Sequence, residues 1–166
     1  VLLVLFTKKN NPFANVTKRI DKLEKQIDSS ILQLKSADTE DKILKELKLV
    51  NSQCGKLLAS STYYLNEGHD QLSPLCQQIL TLKKITFALC NSKCLNSEKT
   101  IAVLNKIKEN QFNEIQATMV EIKLSYEKYL EEATNKEKAE LLAEKQAKQK
   151  KKALTKEELK QENYSY

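Results

Sequence analysis

Apolar residues recur at steps of three or four from residue 16 to residue 133, the spacing that turns one face of an α-helix toward a core. Val16, Ile20, Leu23, Ile27, Ile31 and Leu34 predict a first helix, with Asn15 as its N-cap and Pro12 just upstream. Ser36-Ala37-Asp38 interrupts the pattern. A second helix then starts at a cap on Asp38 or Thr39 and carries Ile43, Leu47, Val50, Cys54, Leu57, Ser61 and Leu65 in heptad alternation. Gly68 stands where a C-terminal stop needs a left-handed residue. Gly55 lies in mid-helix, where the helix either breaks or continues at a cost of about 1 kcal/mol relative to Ala.

Ser73-Pro74 predicts the start of a third helix, Ser as cap and Pro at the first helical position, where its missing N–H costs nothing. Its stripe is Leu75, Ile79, Leu82, Thr86 and Leu89. A second stripe of Cys76, Leu80, Phe87 and Cys90 widens the apolar face, so this helix is expected to be the most buried. A fourth helix, capped by Ser97, reads Ile101, Leu104, Lys108, Phe112, Ile115, Met119, Ile122, Tyr126, Tyr129 and Ala133. Lys108 is the one polar residue in that stripe, and either it snorkels to the rim or Ile107 takes its place. The predicted fold is all-α: an antiparallel four-helix bundle over residues 15–133, with Gly55 as the one place where a helix could break. Residues 1–14 form an apolar N-terminal remnant and linker. Residues 134–166 form a Lys/Glu-rich solvated helix or disordered tail.

Composition narrows the function classes. The 166 residues include only 2 Gly, 2 Pro and 1 His. Two glycines cannot build phosphate loops, dinucleotide fingerprints or a nucleophile elbow, and one histidine cannot supply a multi-histidine metal centre. The formal charge is +6. Residues 131–166 hold nine Lys and eight acids, or +1, which leaves +5 for residues 1–130. Val1-Leu2-Leu3-Val4-Leu5-Phe6 is a continuous apolar run followed by Lys8 and Lys9. It reads as the end of a signal peptide, as a membrane anchor, or as an ordinary packed segment.

The four cysteines, Cys54, Cys76, Cys90 and Cys94, are disulfide candidates if the chain is secreted. In a simple hairpin of the second and third helices Cys54–Cys90 is the best-placed pair, and a second bridge requires a broken helix. Buried free thiols in a reducing compartment are the alternative. No metal or cofactor is expected, and carboxylate pairs on solvated faces have no setting for acid–base work.

The leading expectation is therefore a non-enzymatic, secreted-type helical protein that binds another protein or associates with itself along helical seams. One alternative is a carrier holding an apolar ligand among Ile79, Leu80, Phe87, Phe112, Met119 and Tyr126. Another is binding to an acidic membrane or polyanion through Lys148, Lys150, Lys151 and Lys152, with nucleic acid disfavoured because no aromatics interleave. A location outside the cell, anchored to a membrane, or inside with reduced cysteines remains open at this level.

Overall fold

The structure is a computed structural model that describes residues 12–164, with side chains described from 13 to 157. The apolar run at residues 1–6 lies outside the described residues. The fold is all-α, as expected. Helix α1 spans Pro12–Leu34, α2 Glu40–Asn66, α3 Ser73–Cys90 and α4 Ser97–Ile107. A π-helical turn, Lys108–Phe112, follows α4 without a break and leads directly into α5, Asn113–Tyr164. A short 3₁₀ turn, Asp70–Leu72, precedes α3. Two compact units result, one of residues 12–125 and one containing residues 126–164.

Within residues 12–125, α1 packs on α2, α2 on α3, and α4 and the π turn return to α1. Polar contacts give the directions. Ser30 on α1 donates to Glu46 Oε2 on α2 at 2.8 Å, and Asn15 on α1 donates to the Tyr64 hydroxyl, so the two helices run antiparallel. Glu24 accepts from Gln116 at 2.9 Å while Asp28 pairs with Lys108, so the fourth arm is antiparallel to α1 as well. Ser30 is fully buried and also accepts from Gln26 at 2.9 Å, so its hydroxyl is not left unpaired in the core.

The core follows the predicted stripes closely on α1 and α2. Val16, Leu23, Ile27 and Leu34 on α1 and Leu47, Val50, Cys54 and Leu57 on α2 are all without solvent exposure. Thr39 caps α2 by accepting from Lys42 N–H at 3.3 Å, while Asp38 takes the Lys42 ammonium at 2.7 Å. Gly68 adopts φ +101°, the left-handed turn its position predicts.

Several expectations need correction. Helix α1 already runs from Pro12, so Asn15 lies inside it and serves Tyr64 instead of capping. Ser73 and Ser97 each fall one residue inside their helices; Asn96 caps α4 by accepting from Lys99 N–H, and Ser97 donates to the Ala37 carbonyl. Helix α2 passes Gly55 unbroken, since a helical Gly costs only about 1 kcal/mol relative to Ala and the buried positions on either side outweigh that. The irregularity sits in the fourth arm. Thr100, Leu104 and Ile107 are buried, then Phe112, Ile115, Met119 and Ile122. The step from Ile107 to Phe112 is five residues, one too many for a plain α-helix, and the π turn absorbs the extra residue. Ile107 thus takes the core position, and Lys108 turns to the surface.

Residues 126–164 are helical throughout. Tyr126 and Leu130 are buried, and Tyr126 stacks on Tyr129 with centroids 6.3 Å apart. Tyr129 itself is 61% exposed, so Leu130 replaces it in the apolar stripe. From 138 to 157 every residue is exposed. No described helix is long and apolar enough to cross a membrane.

Candidate functional site

The four cysteines were the strongest chemical signal in the sequence, and all four are free thiols in the structure. The register of the α2–α3 hairpin explains why the expected Cys54–Cys90 staple is not formed. Lys83 covers Gly55, Thr62 bonds to Cys76, and Lys48 sits beside Cys90. On that register Cys54 faces position 84, six residues or about 9 Å along the axis from Cys90, beyond the roughly 7 Å that a disulfide tolerates between Cα atoms. Instead Cys54 is fully enclosed, meets Thr86, and has its thiol pushed up to about 12 by burial. Burial also raises the Cys76 and Cys90 thiols. Cys94 is exposed in the loop before α4. Among the described residues no cluster of three or more His, Cys, Asp or Glu side chains is arranged to hold a metal.

The residues considered for an apolar-ligand lining do not form one surface. Ile79, Phe112 and Met119 are buried in the bundle, while Leu80 is half-buried. Phe87 is 60% exposed, which corrects its assignment to an interior face. Each helix of such a bundle is covered on one side only. Phe87 lies about 100° around α3 from the core residue Thr86, so the second stripe runs out to the rim. Tyr126 is buried and belongs to the other unit. On α5, Lys148, Lys150, Lys151 and Lys152 are all exposed. Helical spacing sets 148, 151 and 152 on one side, with Glu144, and Lys150 on the opposite one.

A different site emerges from the packing of α1 against α2. A groove of about 420 Å³ opens between them, lined by Lys18, Arg19 and Lys22 from α1, by Lys56 and Ser60 from α2, and by Asn15 and Ala59. Residues 15, 18, 19 and 22 follow one another along the α2-facing edge of α1, and 56 and 60 are one turn apart on α2. No carboxylate lines the groove. The cations repel one another: Arg19 first, then Lys18, with burial and Lys56 adding to them, hold the Lys22 ammonium below its usual lysine range. Arg19 is the only arginine in the chain. Nothing in the residue spacing singles out Lys18, Arg19 and Lys22. Lys56 joins them only through the register of α1 on α2, which one chain's residue spacing does not state.

No protein-family model matches this chain, and neither a curated protein nor a solved structure gives a significant match to it.

Proposed function

We propose that the chain is a non-enzymatic helical interaction protein, and that the exposed helix of residues 138–157 is the surface on which it meets another protein. The observation that carries this reading is that all twenty of these helical residues are exposed, Leu141, Leu142 and Leu154 among them. At 1.5 Å per residue that is about 30 Å of helix holding its form by Lys, Glu, Gln and Ala propensity alone. A helix polar nearly all round has no core to build, and contact with a partner is one role it fits. A non-catalytic role is supported by the titrating groups. The shifted thiols move away from the reactive thiolate, and the shifted Lys and Asp side chains lie at the surface.

The test is site-specific photo-crosslinking in the cells that make the protein. A probe at position 142 or 154 gives a discrete adduct of fixed mass, and a probe at Lys106 does not. Equal labelling at all three positions overturns the reading.

A second reading concerns compartment. Four unbridged thiols, two of them acting as small core residues, support a reducing environment over an oxidising one. Intact mass after alkylation of the unfolded protein without reductant gives four adducts on this reading. Fewer adducts, restored to four by reductant, overturn it.

A further inference from the structure

We propose that the groove between α1 and α2 binds a phosphate group, with Arg19 and Lys22 as its principal contacts and Lys18 and Lys56 completing the charge. The proposal does not depend on the interaction proposed for residues 138–157.

Four cations converge on one concave surface, and among the described residues none of them forms an ion pair with a carboxylate. Ion pairs do form elsewhere among the described residues. Lys42 pairs with Asp38 at 2.7 Å, Lys108 with Asp28, and Gln116 donates to Glu24. Holding like charges together without a counter-charge is unfavourable, and Lys22 registers that strain in its depressed affinity for a proton. A bound dianion offsets part of this charge and supplies the counter-charge that the groove lacks.

The donor types fit a phosphate better than a carboxylate. Arg19 offers a planar fork that matches two oxygens of one tetrahedral anion, and three lysines offer point charges around it. Ser60 adds a hydroxyl on the α2 side and Asn15 an amide on the α1 side. A dianion takes donors from several directions and uses more of this set than a singly charged carboxylate does. The volume of about 420 Å³ leaves room for a diphosphate or for the group that carries the phosphate. Free phosphate compounds and the headgroup of an anionic lipid share this chemistry.

The experiment titrates the full-length protein with inorganic pyrophosphate and reads the lysine side-chain NMR signals. Vesicles of phosphatidylcholine with and without phosphatidic acid form the second arm. In the wild type the Lys22 signal moves most and its pKa rises, because the anion favours the charged ammonium. The double variant R19Q/K22Q, whose side chains lie on a helix edge outside the core, keeps its helical circular dichroism and binds at least tenfold more weakly. The control K148Q/K150Q binds as the wild type does. Saturable binding of pyrophosphate, lost in R19Q/K22Q, assigns a soluble phosphate compound. Sedimentation with phosphatidic acid vesicles, lost in the same variant and without tight pyrophosphate binding, assigns a lipid headgroup. Equal shifts at Lys22, Lys106 and Lys148, or equal binding by R19Q/K22Q and wild type in both arms, overturns the proposal.

Discussion

Asn51 of α2 donates its side-chain amide to the Thr86 hydroxyl of α3 at 2.8 Å, and the same amide reaches the Lys83 carbonyl at 3.1 Å. Thr86 is fully buried and passes its own proton back to Lys83 O at 3.0 Å. This closed polar set locks α2 and α3 in register at the level of Cys54. Thr86→Val removes one acceptor and leaves the Asn51 amide only its carbonyl partner. It is expected to cost about 1–2 kcal/mol, the usual penalty for breaking a buried hydrogen bond. Urea unfolding of the variant measures this, and a midpoint equal to the wild type's would show that the pair does not hold the register.

The cysteines are expected to react in the order of their exposure. Alkylation at mild alkaline pH modifies Cys94 first, Cys90 and Cys76 more slowly, and Cys54 only on unfolding. The same burial sets a pH dependence. The folded-state value of Cys54 is about 12 against an ordinary 9.0, so the native state keeps a proton that the unfolded chain gives up. Stability is thus complete below about pH 9 and falls as the pH rises toward 12. Cys54→Val flattens that decline in denaturant midpoints measured between pH 8 and 11.

The π turn should tolerate losing the residue it absorbs. Deleting exposed Asn110 reduces the five-residue step between Ile107 and Phe112 to four and restores plain α-helical spacing without moving either core residue off its face. Deleting Glu121 from regular helix instead rotates everything after it by about 100° relative to Met119. Thermal unfolding should place the Asn110 deletion within about 1 kcal/mol of the wild type, and the Glu121 deletion well below it.

The two glycines are expected to respond in opposite directions to the same substitution. At Gly55 an added Cβ meets only the Lys83 Cε and Nζ at 3.9 Å, an ordinary contact, so Gly55→Ala stabilises by up to about 1 kcal/mol. At Gly68 there is space but φ is +101°, so Gly68→Ala strains the backbone and destabilises by about 1 kcal/mol or more. Calorimetric midpoints of the two variants check the signs.

What residue spacing could and could not disclose follows from where each signal lives. The stripe Ile43, Leu47, Val50, Cys54, Leu57, Ser61 was fully legible because one helix's buried face depends on its own periodicity. The turn at Gly68 was legible because only one residue type suits it. The π turn left a trace, the polar Lys108 in the stripe with Ile107 as its alternative, but the five-residue step from Ile107 to Phe112 was not followed to a change of helix type. Phe87 and Tyr129 misled because size and apolarity say nothing about which rim a neighbour covers. The cysteine spacing was read on an idealised hairpin; a displacement of a few residues in α2 against α3 separates Cys54 from Cys90. The cationic groove was out of reach for the same reason, since it joins residues 18–22 to residue 56 across two helices.

The exposed stretch of α5 has one more consequence. Its backbone hydrogen bonds face water on every side, so nothing beyond the helix itself protects them from opening. Residues 138–157 should exchange their amide protons within the time that the core of α2 exchanges almost none. Proteases should trim the chain from this end while residues 12–125 stay intact. On heating, helicity should drain away gradually before a sharp transition, with the gradual part belonging to α5. The protein is then one cooperative folding unit carrying a helix that melts on its own terms, and the length of that helix at any moment is set by temperature and salt instead of by the bundle.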